Sequence, residues 1–135
     1  LMTQTAMTYP ETYARDIKGV DIKAILEDVA DNLFNEDPFY QQGGDMVRTG
    51  GISYKINPTA KMGERITDIV LTKTGEKLDA SKSYKVAGWS TVGAQSEGEP
   101  IWETVEIYLK NMKHISKIKI DTPDIVGVKG NPGII

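Results

Sequence analysis

The sequence predicts an α+β domain, because two amphipathic helices enclose a series of short alternating strands along a chain of 135 residues. That length suits one domain, residues 1–135, with a core of its own. The predicted architecture is a mixed β-sheet packed with helices. The first helix is the clearest element, since its apolar residues recur at i, i+3, i+4, i+7, i+8, i+11 and i+12: Ile22, Ile25, Leu26, Val29, Ala30, Leu33 and Phe34.

A short strand, Thr12–Ile17, is predicted before this helix. Asp21 is the predicted N-cap of the helix, because a carboxylate accepts hydrogen bonds from free amides of the first turn. Lys23 and Glu27 are one turn apart, so they are predicted to face each other on the solvent side. The segment from Asn35 to Pro38 ends the helix.

Strands are predicted at Gly51–Asn57, Arg65–Lys73 and Ser83–Trp89, where apolar and polar residues alternate. The candidate core residues of the first two are Ile52, Tyr54, Ile56, Ile66, Ile69 and Leu71. Pro100 is predicted as the first residue of a second helix. Its expected buried stripe is Ile101, Val105, Tyr108, Leu109 and Met112. The residues from Ile115 to Ile120 are strand-like, and an extended tail follows.

The composition excludes several function classes. A net charge of −3 without a basic tract gives no support to nucleic-acid binding. No apolar run approaches the ~20 residues that a membrane helix requires. The chain has no cysteine, and its single histidine, His114, has no partner at metal-ligand spacing. We therefore expect neither a catalytic centre nor a metal site within this chain. Because it opens in apolar sequence at Leu1-Met2, we expect a fragment of a longer protein.

Residues 41–54 carry four of the 13 glycines around a single arginine, Arg48. Glycine adopts positive φ angles and lets backbone approach a ligand closely. A guanidinium makes bidentate hydrogen bonds to the oxygens of a sulfonate or phosphate. The segment therefore suits a binding site for a small oxyanion at the start of a strand. The pattern alone nevertheless favours a simpler alternative, two tight turns and a surface arginine, because glycine pairs mark turns more often than ligand sites.

Two tryptophans, Trp89 and Trp102, flank a polar loop at residues 90–99. One follows a strand and the other begins a helix, so the pair is predicted to form two walls of a cleft. Core packing is the alternative for each.

Four segments of the sequence resemble the C-terminal domain of the 5'-nucleotidase family, and within that family the SoxB branch of sulfate thiol esterases. They are Gly-Gly-Asp-Met-Val-Arg-Thr-Gly-Gly-Ile-Ser-Tyr (43–54), Asn-Pro-Thr-Ala-Lys-Met-Gly-Glu-Arg-Ile (57–66), Tyr-Lys-Val-Ala-Gly-Trp (84–89) and Gly-Glu-Pro-Ile-Trp (98–102). The last segment stands where nucleotidases carry Gly-Gly-Asp-Gly-aromatic. This departure favours the SoxB branch.

The resemblance implies a longer periplasmic hydrolase. Its N-terminal metallophosphatase domain would hold two manganese ions, and the domain described here would close the substrate cleft. The implied substrate is a cysteine S-thiosulfonate on the SoxYZ carrier protein, and the product is sulfate. Arg48 is the residue that the resemblance assigns to the sulfonate. Further substrate-binding candidates are Tyr9, Asp45, Trp89, Glu99 and Trp102.

Two alternatives stay open. One is the C-terminal domain of a 5'-nucleotidase or another phosphoesterase, in which aromatic residues would stack on a nucleobase. The other is a stand-alone module that binds an anion or a peptide.

Overall fold

The structure is a computed structural model that describes residues 12–89, 98–115 and 121–129. It confirms the predicted α+β class with a mixed sheet. The elements, in chain order, are β1 (Thr12–Lys18), α1 (Gly19–Phe34), a 3-10 turn (Pro38–Tyr40), β2 (Ile52–Ile56), β3 (Ile66–Leu71), β4 (Ser83–Trp89), α2 (Ile101–Met112) and β5 (Asp124–Ile125).

The chain divides into two compact units. Leu1–Ile17 and Ser83–Lys119 form the first unit, and Lys18–Lys82 and Ile120–Ile135 form the second. The expectation of a single domain stays a prediction.

The second unit is built on a three-stranded sheet with β2 in the centre. Strand β2 pairs antiparallel with β3, where Ile56 lies opposite Ile66, and parallel with β5, where Ile56 lies opposite Ile125. Helix α1 packs on this sheet through apolar side chains. The buried core is Leu26, Ala30, Tyr54, Ile56, Ile66 and Ile69. Burial of Tyr54 raises the pKa of its phenol, because the phenolate loses hydration.

Helix α1 begins three residues earlier than the sequence predicts. Asp21 lies within its first turn, so the prediction of Asp21 as N-cap is wrong. The residue before the helix, Lys18, provides no side-chain cap. Instead, backbone carbonyls of the same unit accept the first amides: Gly19 N–H donates to Lys82 O (2.9 Å) and Val20 N–H to Ala80 O (3.0 Å). Because these acceptors are distant in sequence, no local pattern marks the true helix start.

A close backbone approach explains the glycine at this helix start. A Cβ atom at position 19 would clash with the backbone carbonyl of Asp79. We expect Gly19→Ala to lower the free energy of unfolding by about 2 kcal/mol, the usual penalty of forcing an extra carbon into a packed site. Urea denaturation measures this loss. Gly50→Ala is the control, since nothing lies within 4 Å of that position; equal stability of the two variants would contradict the prediction.

The first unit contains a two-stranded sheet of β1 and β4. Asp16 and Lys85 form an exposed ion pair across it (3.7 Å). The ring of Tyr13 lies against Gly88, and the Arg15 guanidinium stands 4.8 Å from the ring centroid. This contact is a cation–π interaction.

Helix α2 of the same unit follows Pro100, which precedes the first helical residue instead of occupying it. The predicted stripe is half-buried at Ile101, Val105 and Leu109. At Tyr108 and Met112 the prediction is wrong, because both side chains are exposed.

The tail contains an element that the sequence did not indicate. Strand β5 has only two residues, and Val126 N–H donates to Ile56 O (2.9 Å) just beyond it. The predicted strand at Ile115–Ile120 lies almost wholly outside the described residues. Within the part of the chain that the structure describes, no helix is long and apolar enough to cross a membrane.

Candidate substrate-binding segment

The segment from Gln41 to Gly51, here called the glycine–arginine segment, leaves the C-terminal end of α1. Two hydrogen bonds tie its beginning to the helix: Gln42 N–H donates to Asn32 O (2.6 Å) and Gln41 Nε2 to Asn35 O (2.8 Å). The 3-10 turn between α1 and this segment is capped by Asp37, whose Oδ1 accepts a hydrogen bond from Phe39 N–H (3.0 Å). The start of the segment is therefore fixed relative to the helix.

Two of the four glycines adopt the positive φ angles that the sequence predicts. Gly43 has φ 81° and Gly51 has φ 86°. The amides, however, are not all free, because Gly51 N–H donates to Asp121 Oδ2 (3.1 Å). The Gly51 carbonyl accepts Thr72 N–H (3.0 Å). Gly51 thus joins the segment to the sheet and is not an anion-binding amide.

Arg48 projects into solvent from the middle of the segment. Its side chain is 89% exposed, and one guanidinium nitrogen lies 3.8 Å from Asp45 Oδ2, a carboxylate that is itself 77% exposed. An ion pair of this kind contributes little stability, since water and salt screen it. The guanidinium can therefore exchange Asp45 for another anion at small cost.

The other candidate residues belong to the first unit or lie outside the described residues. Glu99 is exposed, and its backbone carbonyl accepts a hydrogen bond from Thr12 Oγ1 (2.6 Å). Trp102 is 41% exposed on the first turn of α2, so it is not a core residue of its unit. Trp89 ends β4, but its side chain lies outside the described residues, as does all of Tyr9. The structure thus brings Arg48 and Asp45 together, and the cleft role of the other four stays a prediction.

Sequence reasoning missed a buried carboxylate in the second unit. Glu27 was expected on the solvent side of α1, yet only 4% of it is exposed. Its Oε2 accepts the amides of Gly63 (2.9 Å) and Arg65 (3.3 Å), and its Oε1 accepts that of Ile66 (2.8 Å). The predicted pairing with Lys23 is present at 3.6 Å. The prediction failed on burial because all three amides come from a loop and strand that are distant in sequence.

Arg65 holds the end of the same helix. Its side chain is 3% exposed, and it donates to Asp31 Oδ1 (2.5 Å) and to the Phe34 carbonyl (3.0 Å). A buried guanidinium needs such partners, since its desolvation is costly. The contact with Phe34 satisfies a carbonyl of the last helical turn, just before the glycine–arginine segment departs. Arg65 therefore stabilises the base from which that segment extends.

The Arg65 contact makes stability depend on the ionisation of Asp31. Hydrogen bonds from Arg65 and Asn35 lower the pKa of the Asp31 carboxyl below its ordinary value of 3.8. A lowered pKa means that the folded state binds fewer protons than the unfolded state, so this stabilisation is present above pH 3.8 and is lost as the pH falls through the folded pKa.

We expect the stability difference between the wild type and Asp31→Asn to narrow on going from about pH 5 to about pH 2. Denaturant titrations at a series of pH values measure this difference. Asp28→Asn, an exposed site on the same helix, is the control. A difference that stays constant over this range would show that Asp31 ionisation does not stabilise the fold.

Most of the chain matches the profile of a known domain family. The profile of the 5'-nucleotidase C-terminal domain matches residues 4–106, which include α1, strands β1 to β4 and the whole glycine–arginine segment. The chain belongs to the 5'-nucleotidase C-terminal domain family. No curated protein matched the chain.

Several solved structures resemble this family member. Sulfate thiohydrolase SoxB of Thermus thermophilus, solved in complex with glycerol, is 35% identical, with a TM-score of 0.72 over 89% of this chain and 23% of that one. NAD nucleotidase of Haemophilus influenzae is 18% identical, with a TM-score of 0.69 over 92% of this chain and 25% of that one. A 5'-nucleotidase precursor from Thermus thermophilus is 15% identical, with a TM-score of 0.66 over 94% and 27%. The two nucleotidases share the fold alone.

This member of the 5'-nucleotidase C-terminal domain family spans only about a quarter of the length of these structures. Among residues 12–89, 98–115 and 121–129, no cluster of three or more His, Cys, Asp or Glu residues could hold a metal ion. The group in the glycine–arginine segment that could bind an anion is the exposed guanidinium of Arg48. Hydrogen bonds at Gln42 and Gly51 hold the segment at its two ends.

Proposed function

We propose that this chain is the substrate-side C-terminal domain of a SoxB-type hydrolase that releases sulfate from a cysteine S-thiosulfonate on the SoxYZ carrier protein. The observation that carries the proposal is the 35% identity to the Thermus SoxB, against 15% and 18% for the two nucleotidases. The quoted motif around Arg48 supports the same branch. The proposal includes a periplasmic location, because the resemblance to the SoxB branch implies one.

In this reaction the S–S bond to the sulfonate breaks, and the sulfonate sulfur receives an oxygen from water. The products are sulfate, a persulfide (Cys–S–SH) on the carrier cysteine and one proton. We assign the two manganese ions and the activated water to an N-terminal metallophosphatase domain of the intact protein, as the resemblance to the SoxB branch implies.

The contribution of this chain is to bind the anionic end of the substrate. The exposed Arg48 guanidinium offers parallel N–H donors to two sulfonate oxygens, a geometry that a point charge cannot provide. Asp45, its present partner at 3.8 Å, would be displaced as the anion binds. A cation at this position also disperses the negative charge that develops on the sulfonate oxygens as the S–S bond breaks.

A substrate panel tests the proposal. The intact protein that contains this chain, supplied with manganese, is assayed for sulfate release from thiosulfonate-loaded carrier and for phosphate release from AMP. We expect turnover of the carrier substrate. Turnover of AMP alone would assign the protein to the nucleotidases, and turnover of neither would favour a binding module.

A further inference from the structure

The tail of the second unit contacts the glycine–arginine segment at its junction with the sheet. Asp121 Oδ2 accepts the Gly51 amide (3.1 Å), a contact between residues 70 positions apart. The tail then continues alongside β2: Asp124 and Ile125 form β5, and Val126 N–H donates to the Ile56 carbonyl (2.9 Å). Residues 121–127, here called the tail strap, therefore follow β2 from just before its first residue to its last.

The Gly51 amide lies where the glycine–arginine segment meets β2, so its orientation affects the direction of the backbone before it. The Gly51 N–H belongs to the peptide unit that joins Gly50 to Gly51, so a hydrogen bond on it fixes the orientation of that plane. Gly51 also has a φ of 86°, a left-handed backbone conformation that glycine adopts readily. Arg48 lies three residues before it. A change in this peptide plane would swing the arginine through a large arc.

Between its two ends the segment also contacts the core, because Met46 and Val47 are partly buried and pack against the core cluster of the second unit. Its first anchor is the bond from Gln42 N–H to Asn32 O at the end of α1. Between the anchors, Cβ atoms built at Gly43, Gly44 and Gly50 would meet nothing within 4 Å. The Arg48 side chain itself has a single loose ion pair. The placement of Arg48 therefore depends on the core contacts of Met46 and Val47 before it and on the Gly51 anchor after it.

We propose that Asp121 is a positioning residue for Arg48: its carboxylate holds the Gly51 amide and so sets the direction in which the arginine presents its guanidinium to an anionic substrate. The inference rests on the proposed function for the identity of that substrate. A carboxylate suits this role, because hydrogen bonds from an amide to a charged acceptor are stronger than those to a neutral one.

Three variants of the intact protein test this role. Asp121→Ala removes the acceptor. Asp121→Asn keeps an oxygen acceptor while removing the charge. Asp124→Ala removes a carboxylate from the same strap without touching Gly51, since Asp124 pairs with β2 through its backbone. Hydrogen–deuterium exchange of peptides covering residues 43–52 and steady-state kinetics with the sulfonate substrate are measured for each.

We expect Asp121→Ala to speed amide exchange at Gly51 on the order of tenfold and to lower kcat/KM by a similar factor, with little change in the overall unfolding midpoint. Asp121→Asn restores most of both properties, and Asp124→Ala changes neither. Unchanged exchange in Asp121→Ala overturns the inference, as does faster exchange with unchanged kcat/KM. If Arg48→Ala also leaves kcat/KM unchanged, the proposed function fails at its binding residue, whereas the exchange data alone still decide whether Asp121 holds Gly51.

Discussion

Replacing Glu27 with alanine is expected to lower the free energy of unfolding by about 3 kcal/mol, the cost of leaving several buried amides without an acceptor. The three amides, from Gly63, Arg65 and Ile66, all bond to this one carboxylate, and Glu27 is 4% exposed, so water does not replace it. Urea denaturation followed by circular dichroism measures the loss.

Two further variants give this prediction its controls. Asp28→Ala removes the neighbouring, exposed carboxylate and should change stability by less than about 0.5 kcal/mol. Glu27→Gln retains one acceptor oxygen but turns an NH2 group toward amide donors, so its loss should be intermediate. If Glu27→Ala and Asp28→Ala were equally stable, the buried carboxylate would not be what joins α1 to the loop and β3.

Under the proposed function, replacing Arg48 with alanine in the intact protein is expected to reduce kcat/KM for the sulfonate substrate by roughly 10²–10³-fold, as the loss of a donor to a developing oxyanion does elsewhere. The unfolding midpoint should stay unchanged, because the side chain is 89% exposed and its ion pair with Asp45 is loose. Steady-state kinetics and thermal unfolding of the same preparations separate the two effects.

Two further variants show whether the loss of activity comes from the guanidinium of Arg48 or from the loss of any positive charge. Arg48→Lys should recover only part of the lost activity, because an ammonium cannot make the bidentate contact. Lys73→Ala, which removes an exposed cation elsewhere in the second unit, should leave kcat/KM unchanged. Full activity in Arg48→Ala would mean that Arg48 is a surface arginine on a turn, the simpler alternative that the pattern left open.

The fold was predictable where local periodicity determines structure. The strands predicted at Gly51–Asn57 and Arg65–Lys73 form as Ile52–Ile56 and Ile66–Leu71, and their alternating residues Tyr54 and Ile66 are buried. Strand β5 was not predictable, because its two residues pair through backbone groups and leave no alternation in the sequence.

The candidate site shows the same division. Residue type made positive φ possible at Gly43 and Gly51, but it did not decide which of the four glycines adopt it. The roles of Glu27 and Asp121 did not follow, because their amide partners lie 36 to 39 and 70 residues away, respectively. The local sequence pattern is that of an ordinary surface carboxylate for both residues. Only the tertiary structure shows which backbone amides bond to Glu27 and Asp121.

The location of a bound sulfonate tests the central claim most directly. A crystal structure of the intact protein with manganese and a non-hydrolysable sulfonate would show which groups contact the anion. We expect at least two sulfonate oxygens within hydrogen-bonding distance of the Arg48 guanidinium, with Asp45 displaced from it. A sulfonate bound at the active site while Arg48 remains turned toward Asp45 would show that Arg48 does not bind the substrate.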